Sequence, residues 1–298
     1  MNAYVEALRL ERWPRSSAIL LGSVVYIFLQ DNSLRPTDFL GLAWRVGLAF
    51  LLTWGVSTVN YVINEIADAP FDRHHPTKKM RPLVSGRIQK GPFIFIGIFI
   101  GLFCFTLAWL GFNPGFFFSL LALLAAGFLY NVRPLRTKDI PFIDAVSESV
   151  NNPIRFLAGW FALCPDLSLF PPVSLLIAWW AFGHFLMVAK RLSELRWLKN
   201  RATDYRQSLA KYSHPSLLLG MTIASLVFFA SYIYFCLEYN LNRYLFYIPL
   251  LAVYFLLFFW KTLKEKAVME EPEGLFRRPI FALYTIGLVI LFLLSFRR

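Results

Sequence analysis

FLLTWGVSTVNYVINEIADAPFD, residues 50–72, starts apolar and ends acidic. The apolar stretch reaches back to residue 40, with Arg45 as its one charge up to Asn64. At 1.5 Å per residue, such a helix is long enough to cross a hydrocarbon core of roughly 30 Å. This reading decides the fold class, and similar blocks elsewhere in the chain repeat it.

Of the 298 residues, 57% are hydrophobic and 16% charged, and the mean hydropathy is +0.54. A soluble domain of this length carries far more charge. An outer-membrane barrel needs alternating apolar and polar residues, whereas these runs are continuous. The chain therefore reads as an all-α, polytopic membrane bundle, a single domain over residues 1–298. Residues 1–15 form a charged, amphipathic interfacial segment without a cleavable signal pattern.

Spans are expected near 16–30, 40–66, 92–111, 114–131, 142–163, 172–190, 215–237, 244–261 and 279–295, about nine in all. The fourth requires a tight turn at FNPG, residues 112–115. Loops after the even-numbered spans are basic: Arg73 to Lys90, Arg133 to Lys138, Arg191 to Lys211 and Lys261 to Arg278. The loops after odd-numbered spans nearly lack Lys and Arg. The positive-inside rule then puts the N-terminus and the even loops in the cytoplasm and the C-terminus outside. Arg297 and Arg298 run against that assignment. The net charge of +12 expresses this topology. With no soluble basic domain, nucleic-acid binding is excluded. Cys104, Cys164 and Cys236 fall in or beside apolar runs and form no metal spacing.

Asn60, Asn64, Asp68 and Asp72 recur every four residues, so on a helix they form one slowly drifting polar stripe. Carboxylates in or near hydrocarbon are costly and usually mark a site. Pro70 is expected to break the helix, leaving Asp72 on a turn that folds back toward Asp68. Hard oxygen ligands in this pattern suit Mg²⁺, held by one or two carboxylates and substrate phosphates. Lys78, Lys79, Arg81 and Arg87 follow as phosphate-pairing cations. His74 and His75 lack metal-ligand spacing and read as loop residues or minor phosphate contacts.

Asn64-x-x-x-Asp68-x-x-x-Asp72 followed by HPTKKMRPLVSGRI resembles the first Asp-rich motif and loop of the UbiA superfamily of intramembrane prenyltransferases. The loop's matching positions are Lys79, Arg81, Pro82 and Gly86. LYNVRPLRTKDIPFID resembles the family's next cytoplasmic loop and supplies Tyr130, Arg136, Lys138 and Asp144. The resemblance implies a helical bundle around a central cavity, with a lateral opening that admits a polyprenyl chain. It also implies Mg²⁺ on Asn64, Asp68 and Asp72, and a phosphorylated substrate at the cytoplasmic mouth, in a bacterial inner membrane. Asp68 and Asp72 would serve catalysis; Asn60, Lys79, Arg81, Tyr130, Arg136 and Lys138 would bind substrate.

Most members carry a second Asp-rich motif after the sixth helix. Here HFLMVAKRLSELRWL stands instead, with Lys190, Arg191 and Glu194 as the candidates. They form either an interfacial ion pair or a phosphate site. One acidic cluster and one Lys-Arg pair suit two separate phosphorylated groups. This pattern, the short Tyr-Ser segment after it and the DRHHPTKKMRPLVSG loop resemble the branch that makes decaprenylphosphoryl phosphoribose. In that branch phosphoribose passes from phosphoribosyl diphosphate to a polyprenyl phosphate. Lys190 and Arg191 would then hold phosphate, and Glu194 would orient Arg191 or touch a ribose hydroxyl. Met80 and Glu65 depart from the branch and family patterns. The alternative is prenyl transfer from a polyprenyl diphosphate to an aromatic or other acceptor. A transporter would need paired repeats and broken helices, and the second half lacks a matching acidic motif. A membrane scaffold gives no reason for the acidic stripe. Inside the fifth span, Arg155 either pairs with Glu148 or lines the cavity to meet substrate phosphate.

Overall fold

A computed structural model describes residues 2–29, 39–73, 78–199, 202, 206–264 and 279–294. Among them the elements are helical throughout. The N-terminal segment is a short helix α1 (Ala3–Leu8) followed by a 3-10 stretch, Leu10–Ser17. Then come α2 (Ala18–Leu29), α3 (Phe39–Asp72), α4 (Lys90–Gly111), α5 (Pro114–Asn131), α6 (Ile143–Ser149), α7 (Asn151–Leu163) and α8 (Val173–Leu198). The last are α9 (His214–Glu238), α10 (Ile248–Lys264) and α11 (Pro279–Leu294).

Six helical stretches among the described residues are long and apolar enough to cross a membrane: α3, α4, α5, α8, α9 and Asn242–Lys264, which includes α10. Three expected spans come out shorter. The first is α2, with 12 residues, and the last is α11, with 16. The fifth, expected as one helix over 142–163, is instead two, α6 and α7, parted at Val150. Pro153 accounts for the break, because its ring clashes with the carbonyl four residues back, that of Ser149. In the first turn of α7 the same proline costs nothing, since that N–H lacks a helical partner anyway.

Pro70 behaves differently from the expectation. α3 runs through it to Asp72, so Asp72 lies on the helix and not on a turn. Two residues from the end, proline disturbs only the final turn. There Arg136 donates a hydrogen bond to the Ala67 carbonyl at 3.3 Å, a cation at a helix C-terminus. At 34 residues α3 is about 51 Å long, well beyond the roughly 30 Å of hydrocarbon. The surplus lets its acidic end stand beyond the apolar layer. His74, His75, Asp204, Tyr205, the loop beyond Lys264 and the terminal arginines lie outside the described residues.

The chain divides into two compact units: residues 1–137 with 151–171, and residues 138–150 with 172–298. In the first, α2 packs on α7, and α3 on α4 and α5. The α2–α7 approach depends on glycine. A Cβ on Gly22 would strike the Phe156 carbonyl, and one on Gly159 the Ile19 carbonyl. Ser23 Oγ donates to the Gly159 carbonyl at 2.9 Å across that seam. The FNPG turn forms as expected: Asn113 Oδ1 accepts from Phe116 N at 2.9 Å and Pro114 opens α5. In the second unit, α8 packs on α6, α9 and α10. Its core includes Phe185, Leu192, Met221, Phe255 and Phe258.

Gly159→Val is expected to destabilise the protein by about 1–3 kcal/mol through overpacking. A melting curve in detergent reads this, and an unchanged Tm would contradict the close approach of α2 and α7.

Candidate active site

The first unit gathers charge at the end of α3. Four-residue spacing sets Asn64, Asp68 and Asp72 along one face, as the sequence pattern requires. Asn64 Nδ2 donates to Asp68 Oδ2 at 3.2 Å and to Asn131 Oδ1 at 2.5 Å. Asn131 is buried at the end of α5 and donates to the Gly127 carbonyl at 2.8 Å. Arg136 Nη2 reaches Asp68 Oδ1 at 2.8 Å, while Nη1 donates to the Asn131 carbonyl at 2.9 Å. Its guanidinium lies 4.5 Å from the centroid of the Phe71 ring, a cation–π contact. Arg81 donates to Asp72 Oδ2 and stands 3.9 Å from both Asp68 and Glu65. Arg9, from the N-terminal segment, approaches Glu65 at 3.3 Å. Three carboxylates thus face three arginines.

Arg81 and Arg136 enter this cluster, but they sit against the carboxylates themselves. Lys79 is exposed in the loop, and Tyr130 is half-buried in the last turn of α5. Asn60 has a packing role: its Nδ2 donates to the Leu123 carbonyl at 2.8 Å, and its side chain fills the space beside Gly127. Arg155 is buried on α7 with Nη2 3.5 Å from Ser57 Oγ. Among the described residues no three His, Cys, Asp or Glu side chains form a metal-binding group. In its donor chemistry the α3 set nevertheless suits Mg²⁺, since two carboxylates and an amide at four-residue spacing are hard oxygen ligands.

The second unit carries a second cage, centred on Arg191. Here the structure corrects the expectation that Arg191 presents itself to phosphate. Its side chain is 0% exposed. Nε donates to Asp144 Oδ2 at 2.6 Å, Nη2 to Glu148 Oε2 at 2.7 Å, and Nη1 lies 3.4 Å from Glu194 Oε2. The reason is geometric. Asp144 and Glu148 are four apart on α6, Arg191 and Glu194 three apart on α8, and the two helices pack together. A buried guanidinium needs such anions. Glu194, expected in a catalytic role, is equally buried and lies 3.3 Å from Arg206 Nε as well. Its contact with Arg191 is the ion pair at 3.4 Å. Glu148 serves Arg191.

Asp144 also accepts from Ser208 Oγ at 2.9 Å and Tyr212 Oη at 2.5 Å. Burial, then the adjacent Asp144 charge, pushes the Tyr212 phenol well above its ordinary pKa, so it remains a donor. Lys190 precedes the hub, half-buried, with the carboxylates Glu148 and Glu194 and the cations Arg191 and Arg206 as its charged neighbours. Lys138 is buried at the start of this unit. Sequence reasoning missed Arg9, Phe71, Asn131, Arg206 and Ser208 as members of these clusters. The short Tyr-Ser segment was the available signal for Ser208 and Tyr212.

The UbiA prenyltransferase family model matches residues 19–278, most of the chain and both clusters. The chain belongs to the UbiA prenyltransferase family. It is an integral membrane transferase of helical fold. Among UbiA relatives, the decaprenyl-phosphate phosphoribosyltransferase of Mycobacterium tuberculosis H37Rv is 27% identical over 222 residues, covering 74% of this chain and 69% of the relative. A 4-hydroxybenzoate octaprenyltransferase of Legionella pneumophila (strain Lens) is 29% identical over 159 residues, 53% of this chain and 54% of its own. The structure of a UbiA homolog from Archaeoglobus fulgidus bound to GPP and Mg²⁺ matches with a TM-score of 0.67 at 18% identity. That match covers 95% of this chain and 96% of the other.

Arg191→Ala is expected to cost about 3–5 kcal/mol, because three carboxylates lose their shared cation. Loss of the monodisperse peak, or a large fall in Tm, would show it. A purely substrate-binding arginine would leave Tm unchanged.

Proposed function

We propose that this protein transfers phosphoribose from phosphoribosyl diphosphate to a polyprenyl phosphate, at the cytoplasmic face of a bacterial inner membrane. The observation that carries this reading is the chemistry of α8: Lys190, Arg191 and Glu194 stand where an acid-rich metal motif would otherwise be expected. With Arg191 held by carboxylates, Lys190 is the cation of the pair assigned to the acceptor phosphate. The mycobacterial relatives named as decaprenyl-phosphate phosphoribosyltransferases support the same choice.

Asp68 and Asp72, with Asn64, would hold Mg²⁺ together with the donor diphosphate. Magnesium, when bound, supplies positive charge against the departing pyrophosphate. Arg81 and Arg136, relieved of part of their carboxylate contact, turn donors toward the phosphate oxygens, with exposed Lys79 beside them in sequence. Lys190 pairs with the acceptor phosphate, and Arg191 with Glu194 sets where Lys190 stands. An acceptor phosphate oxygen forms a bond to ribose C1 as the C1–O bond to pyrophosphate breaks. Tyr130, Lys138 and Arg155 are assigned to substrate phosphates or ribose hydroxyls.

The second reading, prenyl transfer to an aromatic acceptor, is favoured by the likeness to the Legionella octaprenyltransferase. Purified protein offered labelled phosphoribosyl diphosphate with polyprenyl phosphate is expected to yield labelled lipid only when Mg²⁺ is present. Asp68→Ala and Asp72→Ala are expected to lower the rate to about 1% or less. Labelled lipid from prenyl diphosphate and an aromatic acceptor alone would reject the phosphoribosyl reading in favour of the second.

A further inference from the structure

The N-terminal segment is fastened to the loop after α3 at several points, all within the first unit. Ala7 is buried against Val62, Ile88 and Phe93. Tyr4 packs its ring on Phe93 at 6.5 Å, and its hydroxyl accepts from Gln89 N at 3.3 Å. Arg87 forms a bidentate pair with Glu6, both bonds 2.8 Å. Arg9 closes α1 in the left-handed region, φ 50°, a strained position for a side-chain-bearing residue. From that turn its guanidinium reaches Glu65.

Glu65 is 1% exposed and its Oε2 has two cations within reach, Arg9 at 3.3 Å and Arg81 at 3.9 Å. Arg81 in turn has three carboxylates around it: Asp72 in contact, Asp68 and Glu65 farther off. A buried carboxylate without a counter-charge would draw the nearest cation to itself. If a metal takes Asp68 and Asp72, Arg81 loses its strongest partners. Glu65 is then the group that competes with substrate phosphate for it.

We propose that Arg9 is a positioning residue of the transferase site: it neutralises Glu65 so that Arg81 stays available to the substrate's phosphate. The N-terminal helix is then part of the site's electrostatics as well as its packing. This inference rests on the α3 cluster being a phosphate site, but not on which acceptor the enzyme uses.

Magnesium pyrophosphate is a suitable probe, titrated calorimetrically into purified full-length protein in detergent. Arg9→Ala is expected to weaken its binding about tenfold. Arg9→Lys keeps the charge and should stay within about threefold of the wild type. The double variant Arg9→Ala/Glu65→Gln is decisive, since it leaves no charge to neutralise and should recover binding. Glu6→Gln loosens the same segment without touching Glu65, and should bind as the wild type does. Unchanged binding in Arg9→Ala overturns the inference. A double variant as weak as Arg9→Ala also overturns it, because the segment would then act through packing alone. A wild-type protein that binds no magnesium pyrophosphate refutes the phosphate-site reading and this inference with it. Binding without phosphoribosyl transfer refutes only the choice of substrate.

Discussion

An ionised side chain held away from water must have a partner of opposite charge, and both units of this protein are organised by that rule. In the first, Glu65, Asp68 and Asp72 face Arg9, Arg81 and Arg136. In the second, Asp144, Glu148 and Glu194 enclose Arg191, with Arg206 beside Glu194. The two cages differ in what they leave accessible. Arg191 is wholly enclosed, so its cage is a fixed support. Arg81 keeps 18% of its side chain exposed, and the α3 carboxylates pair with cations that a metal could displace.

This difference changes how the basic residues are understood. A Lys-Arg pair in a sequence invites the view that both cations meet phosphate. Because Arg191 is consumed by three carboxylates, the phosphate contact proposed for the second unit falls to its neighbour Lys190. The same logic applies to Arg136. It is gripped by Asp68, two backbone carbonyls and the face of Phe71, which fixes its plane while leaving its charge beside the acidic end of α3.

Local features were legible in the sequence. The apolar blocks gave the helices, the four-residue spacing gave the acidic face of α3, and FNPG gave the cap of α5. Two proline effects were harder. Pro70 and Pro153 obey one steric rule, but its outcome depends on position: near the end of α3 it was absorbed, while in the first turn of α7 it parted two helices. Pairings distant along the chain could not be read at all. Arg9 and Glu65 are 56 residues apart, and Arg191 and Asp144 are 47 apart. No periodicity links them, and only the folded packing of α1 on α3 and of α6 on α8 does.

We propose that Asp68 and Asp72 form a divalent-metal site whose arginine partners give way. Electron paramagnetic resonance of Mn²⁺, used in place of Mg²⁺, tests it without any assumption about the acceptor. Bound Mn²⁺ is expected in the wild type, with tighter binding when pyrophosphate is added, and loss of both in the double variant Asp68→Asn/Asp72→Asn. A double variant that binds Mn²⁺ as tightly as the wild type would contradict it.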